Sequence, residues 1–333
     1  MSLTIQPIVV SQSFFVISLD FELHWGRFDK TSYLGRLGYY ERAREAVPRL
    51  LDLFAEFGIS ATWATVGMLL ANDREEWRIY QPDVPPLFKS EGYSAYRWYE
   101  KHEVPDSILF APDLAKCIHS YPGQEIGCHT HAHYYTGAAG ACEASFRADL
   151  QAARRIAKEK LGMDMRSLVF PRNQYNDEVL RISGEEGFSM VRTNPYDWYW
   201  QNPQDHEFSK RLFRTGDSIL PLSNKTSYPR AMLHVPKPPL PVQVPASRFF
   251  RPFQSKALWV NRLKLKRIFQ EMNLAAAEGE VYHMWWHPHN HGHHLESSLA
   301  EVRQVLSHYQ QLHEKTGMQS INMADLGAIV YSV

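Results

Sequence analysis

The run FFVISL at 14–19 is almost unbroken in apolar residues, a pattern that predicts a short strand buried on both faces. Behind it, Ala43, Val47, Leu50, Leu51, Phe54 and Phe57 recur at helical spacing, so a helix is expected over 40–57, stopped by Gly58. ISATWATVGML (59–69) opens with a second buried strand. Residues 73–106 then mix charge, Tyr, Trp and Pro without a sustained period. That predicts an insertion or long loop over one face, where substrate-binding groups often sit.

The alternation continues. EIGCHT (125–130), SLVFP (167–171) and FSMVRT (188–193) predict further strands, separated by helices over 143–161 and 176–186. A proline-rich excursion spans 221–254, with AMLHV (231–235) as its only strand candidate. A helix over 255–278, a strand in VYHMWWH (281–287) and a helix over 295–315 complete the pattern, with no internal repeat. Strands alternating with helices imply a parallel sheet covered by helices. Strand candidates spread over the whole length favour an α/β fold closed as a distorted (β/α)7-type barrel. Residues 1–333 are read as one catalytic domain carrying the insertion and the excursion.

Chemistry in such barrels gathers at the C-terminal ends of strands. Asp20-Phe-Glu22, His129-Thr-His-Ala-His133, Arg172-Asn173, Arg192-Thr-Asn194 and His287-Pro-His-Asn290 all follow apolar strand runs. Composition narrows the classes. Lys plus Arg equals Asp plus Glu at 36 each, which leaves no electrostatic footprint for nucleic acid or anionic lipid. No glycine-rich nucleotide motif occurs. Cys117, Cys128 and Cys142 lack CxxC spacing and read as reduced thiols. The first residues lack a basic n-region, and no apolar run reaches the roughly 18 residues of a spanning helix. A cytoplasmic protein without a membrane span is expected. Its oligomeric state is not specified by the sequence.

Sixteen histidines, several clustered, change the picture most. His129 and His133 are four apart, so a turn at a strand end brings both imidazoles to one point. Three protein ligands with a position left for water are the usual hydrolytic zinc arrangement. His131 joins them only if the segment stays extended; solvated loop histidines are the competing reading. Asp20 and Glu22 imply a cation or an arginine, since carboxylates buried at a strand end without a partner are costly. One can ligate metal while the other serves as general base, the bland alternative being a helix cap and a surface glutamate. His24 is read as peripheral. Arg172 suits a bidentate contact to an acidic base or an ordinary salt bridge. Asp197 and Trp198 offer an aromatic platform or mere packing. His287 ends its strand and is placed to be a general acid, His283 lies deeper on the same face, and a second metal site is the rival for this cluster.

With these residues in place, the chain resembles the polysaccharide deacetylase family, carbohydrate esterase family 4. The likeness runs from about 14 to 290 with motifs in the family's order. Ser18-Leu19-Asp20-Phe21-Glu22 stands where members carry Thr-Phe-Asp-Asp-Gly, and His129-Thr130-His131-Ala132-His133 matches the family's metal pair. Arg172 resembles the arginine of the third motif, Asp197-Trp198 aligns with the fourth, and His287 with the catalytic histidine of the fifth. Phe21 replaces a family aspartate, as in divergent Asp-x-Glu branches.

The resemblance implies a metal-dependent deacetylase of amino sugars. Glu22, His129 and His133 would hold a divalent metal, zinc being expected. Asp20, oriented by Arg172, would be the base and His287 the acid. A backbone N–H near Asn173 would help the oxyanion. Trp25, Trp198, Trp285 and Trp286 are the candidate sugar platforms. Two rivals stand beside it: a hydrolase of a small cyclic amide, ureide or N-formyl compound, and an inactive carbohydrate-binding barrel.

Overall fold

The structure, a computed structural model, describes residues 12–200, 208–217 and 225–332. The chain start, which carries the expectation of no leader, lies outside them, as do residues 221–224 of the excursion.

The strands are β1 (Phe14–Phe21), β2 (Ala61–Thr65), β3 (Gln124–Cys128), β4 (Ser167–Val169) and β5 (Met190–Thr193). They continue with β6 (Tyr228–Pro229), β7 (Val242–Pro245), β8 (Arg248–Phe249), β9 (Glu280–Trp286) and β10 (Gln319–Ile321). The sheet runs β6-β9-β1-β2-β3-β4-β5-β7, and only the β6–β9 pairing is antiparallel among those described. One segment draws the two sides together. β7 pairs with β5, and β8, just beyond it, pairs with β9. Between them, the Ala246 N–H reaches Thr193 O at 2.9 Å and the Ser247 N–H reaches His283 O at 2.7 Å. The sheet thus curls into the distorted barrel that the strand count predicts.

Side-chain alternation sorts β1 into two environments. Phe15, Ile17, Leu19 and Phe21 face the helices and join the large outer core. Phe14 and Val16 turn inward to a smaller cluster with Met190, Val242, Val281 and Met323. Above that apolar floor the interior turns polar, through Ser18, Asp20, Arg192 and His283, all buried. The helices Leu37–Glu56, Glu143–Leu161, Asp177–Glu185, Leu258–Glu278 and Leu295–Thr316 lie close to their expected bounds. β10 and the helix Met323–Tyr331, not anticipated from the pattern, close the N-terminal end of the barrel. There the Met323 N–H donates to Thr62 Oγ1 at 2.8 Å. No helix among the described residues is long and apolar enough to cross a membrane.

Two expectations need correcting. AMLHV is not a strand: Arg230–Met232 is a single 3-10 turn, Met232 and Val235 are exposed, and only Leu233 of the run is buried, in the inner cluster. The sixth stave is instead the Val242–Phe249 segment. The insertion is also more than a loop. It holds the helices Arg74–Ile79 and Ala95–Lys101, capped by the side chains of Asp73 and Ser94. Six and seven residues are too few to show a period.

Candidate metal and catalytic centre

Three backbone segments converge at the C-terminal rim. β1 ends on Asp20 and Glu22, which share the inner face. A 3-10 turn over Leu23–Gly26 then folds the chain back across Glu22. A Cβ on Gly26 would lie 1.9 Å from Glu22 Oε1, so only glycine lets the carboxylate sit there. After β3, the loop His129–His133 is pinned from several sides. The Tyr134 N–H donates to Thr130 Oγ1 at 2.7 Å, and buried Asp149 accepts the N–H groups of His131 and Ala132 at 2.6 and 3.1 Å. Backbone strain collects in these segments and in the loop after β4. The non-glycine residues with positive φ among those described are Leu23, Thr130, His133, Arg172 and Asn173. Such conformations persist only where the surroundings enforce them.

The imidazoles meet the carboxylate directly. Nε2 of His129 and of His133 lie 3.3 and 3.1 Å from Glu22 Oε2, and the three side chains are buried. His129 Nδ1 is 2.8 Å from Val169 O, and a carbonyl can only accept. That nitrogen therefore carries the proton, and in the neutral ring Nε2 points a lone pair at a carboxylate oxygen. Burial also pulls the pKa of His133 below its usual value, against the upward pull of Glu22, which favours its neutral form. The His129 lone pair facing a carboxylate oxygen in a buried site calls for a cation between them. The Glu22–His129–His133 set could hold one, and the donor set of two imidazoles and one carboxylate fits a divalent metal with positions to spare. Burial would raise the Glu22 carboxyl, but the histidines around it, His287 foremost, hold it well below the usual range.

Asp20 is bound differently. Arg192 grips both its oxygens, Nη1 to Oδ1 at 2.6 Å and Nη2 to Oδ2 at 2.9 Å. Burial opposes ionisation, yet Arg192, His129 and His287 together keep the Asp20 pKa low. Behind Arg192 runs a one-way hydrogen-bond chain. His283 Nδ1 donates to Pro245 O at 3.1 Å, so its Nε2 accepts the Ser18 hydroxyl at 2.8 Å, and Ser18 Oγ accepts Arg192 Nη1 at 3.0 Å. Burial and Arg192 push the His283 pKa down to about 3, consistent with that neutral acceptor. His287 Nε2 stands 3.6 Å from both Asp20 Oδ2 and Glu22 Oε1, on a half-buried side chain at the mouth.

The family model for polysaccharide deacetylases matches residues 28–191. The chain belongs to the polysaccharide deacetylase family. That span contains the histidine pair and leaves Asp20, Glu22, Arg192 and His287 outside it. No curated protein matches in sequence. Among solved structures, a putative polysaccharide deacetylase from Mycobacterium smegmatis is similar at TM-score 0.61 and 16% identity, over 98% of this chain and 93% of its own. Puue allantoinase follows at TM-score 0.59 and 14% identity, over 96% and 90%. A probable polysaccharide deacetylase from Pseudomonas aeruginosa PAO1 has TM-score 0.57 and 14% identity, over 94% and 89%. At such identities these three likenesses speak to the fold.

Within this family frame, several expected residues lie elsewhere. Arg172 does not touch Asp20. It pairs with Asp29 and lies 3.7 Å over the Tyr135 ring, because its loop leaves the barrel with φ 57°. Arg192 takes the place at Asp20. Its signal was present: an arginine inside the buried strand Met190–Thr193 needs a buried carboxylate. The Asn173 N–H already donates to Phe170 O at 2.9 Å, while its side chain accepts Arg192 at 3.2 Å, so it offers no backbone donor to an oxyanion. Trp25 and Trp286 are fully buried core residues and cannot be platforms. Trp285 points inward, but Arg192 covers it at 4.4 Å. Trp198 is 52% exposed. Asp197 is half-buried, its pKa raised by burial and then by Asp217. His24 is buried against the Tyr40 hydroxyl at 2.7 Å. His131 packs beneath the loop, facing Tyr96. His289, not singled out from sequence, brings Nε2 to 3.9 Å of Glu22 Oε1.

Proposed function

We propose that this chain is a metal-dependent hydrolase that removes N-acetyl or related N-acyl groups from an amino sugar or a surface-polysaccharide precursor. The reading covers the whole chain as one catalytic unit of the divergent Asp-x-Glu branch. The observation that carries it is the convergence of two neutral imidazole nitrogens on the buried Glu22 carboxylate, beside an ionised Asp20 and a half-exposed His287. Glu22, His129 and His133 are the proposed ligands and zinc the proposed metal, since borderline nitrogen and oxygen donors in a three-residue set suit it.

When bound, such a cation supplies Lewis-acid polarisation of the acyl carbonyl and of water. Asp20, with both oxygens fixed by Arg192, is the base that takes the proton of the attacking water. The arginine keeps the carboxylate ionised and prevents it from turning toward Glu22. His287, at the end of the neighbouring strand β9, faces the same space within reach of a leaving nitrogen and delivers a proton to the departing amine. Trp198 is the remaining exposed tryptophan of the proposed sugar platforms.

Metal analysis with an acyl-release screen tests this reading. Wild-type protein is expected to bind one zinc per chain, and His133→Ala and Glu22→Ala to lose it together with turnover. His287→Ala should keep the metal and lose turnover. Stoichiometric zinc at native affinity in His133→Ala would sink the ligand assignment. Because Puue allantoinase shares the fold, a cyclic ureide belongs in the screen beside free and polymeric amino sugars. Turnover of the ureide alone would replace the amino-sugar reading with that of a small-amide hydrolase.

A further inference from the structure

The segment that aims Glu22 into the site also carries Arg27, Asp29 and Lys30 to its edge. It is tied by the N–H groups of Lys30 and Thr31 to Arg27 O at 3.0 and 3.1 Å. Phe28 anchors it, stacked on Tyr135 at 6.2 Å, and Tyr135 in turn lies 5.2 Å from the His133 ring. These residues are therefore the near wall of the proposed centre. Asp29 is the only carboxylate among them, and it is engaged by Arg172 and by the Tyr135 hydroxyl at 2.9 Å. Arg27 and Lys30 make no ion pair among the described residues. Arg27 instead meets the Tyr39 hydroxyl.

The corner is rich in cations and short of anions. With Arg172 and Asp29 cancelling, and Glu22 given to the proposed metal, two positive charges remain. Burial, Arg172 and Arg27 push the Lys30 pKa down more than Asp29 and Glu22 push it up. The chain as a whole has no net charge, so the surplus is local.

Building on the deacetylase reading above, we propose that the substrate is a phosphorylated amino sugar. Its phosphate would sit against Arg27 and Lys30 while its acyl amide reaches Asp20 and His287. A phosphate dianion matches the two unpaired charges, which a neutral glycan would leave unanswered. The phosphate could be that of a free sugar phosphate or the first of a nucleotide-linked diphosphate.

Calorimetric titration of the full chain with N-acetylglucosamine 1-phosphate and with N-acetylglucosamine tests this, alongside acetate release from each. At least tenfold tighter binding of the phosphate is expected. That ratio should shrink in Arg27→Gln and in Lys30→Gln and vanish in the double variant. Equal affinity for the two sugars, or a ratio that survives in the double variant, would overturn the proposal. UDP-N-acetylglucosamine separates the sources: weaker binding than the sugar phosphate assigns the free form, equal or tighter binding the linked one. The two readings fail separately. A charge-dependent ratio without acetate release removes the deacetylase reading and keeps the anion site. Acetate release from both sugars without the ratio does the reverse.

Discussion

Two buried arginines grip carboxylates in this molecule with similar geometry and different surroundings. Arg192 holds Asp20 inside the barrel at 2.6 and 2.9 Å. Arg248, on β8, holds Glu271 at 3.0 Å and Asp217 at 2.8 Å, behind the strand and against the helix Leu258–Glu278. The second network is closed: the Tyr282 hydroxyl occupies Glu271 Oε2 at 2.8 Å, and Arg267 lies 2.9 Å from Oε1. The first is open. Beyond Arg192, Asp20 faces His287 at 3.6 Å among the described residues, and the His287 side chain is partly exposed. A buried ion pair is thus poor evidence of function by itself. The candidate centre is marked by acceptors left facing one another and by the strained residues around them.

The sharpest way to break this comparison is to neutralise one carboxylate in each network. Asp20→Asn should keep metal and fold while losing roughly the 10²–10⁴-fold typical of a general base. Asp217→Asn should leave turnover within a few-fold and cost about 1.5–3 kcal/mol of stability, the range for a hydrogen bond to a charged group. Turnover assays beside thermal melts read both. If Asp217→Asn abolished turnover at unchanged stability, the line between open and closed networks would be wrong.

A smaller effect is expected one step behind Asp20. From sequence alone, His283 reads as a core residue whose loss lowers stability. Its acceptance of the Ser18 hydroxyl adds a second duty, to fix which way Ser18 and then Arg192 point. His283→Leu should destabilise the chain and lower turnover about tenfold, at the low end of what outer-shell partners cost. His283→Gln, whose amide oxygen can still accept from Ser18, should recover part of the turnover. Equal turnover in the two variants would reduce His283 to packing.

The contrast also explains how much was legible beforehand. Strands buried on both faces are continuous apolar runs, so β1 and β9 could be read from sequence almost to the residue. The histidine pair and the two carboxylates were legible because each follows such a run. What was lost depended on direction. Arg172 and Arg192 both stand near strand ends, and only the backbone shows that one leaves the barrel while the other points into it. Trp285 and Trp286 are neighbours on a strand and must face opposite ways. Naming both as platforms ignored that parity, and Trp286 packs on Phe54 and Phe250 in the outer core. The β7–β8 crossing was hidden because it is short, proline-flanked and paired to two different strands.

The least of these effects is a pH dependence that involves neither arginine. Asp149 holds the His129–His133 loop through the N–H groups of His131 and Ala132 and has no cation at hydrogen-bond distance. Burial raises its pKa to about 7, although those two donors and the Tyr96 hydroxyl pull it down. An unfolded aspartate titrates near ~3.9. The folded value is the higher one, so the stability this group contributes is full below the unfolded value. It declines as pH rises toward about 7 and is level above it. The slope cannot exceed about 1.4 kcal/mol per pH unit for one proton. Denaturant melts of the wild-type chain between those limits should show this component, and Asp149→Asn should remove it. Asparagine cannot restore the clamp, because its amide offers one acceptor where two N–H groups need one each. The variant should also bind metal more weakly at every pH. An Asp149→Asn protein with the wild-type pH slope and native metal affinity would show that the loop is held by its other bonds, chiefly Thr130 to Tyr134.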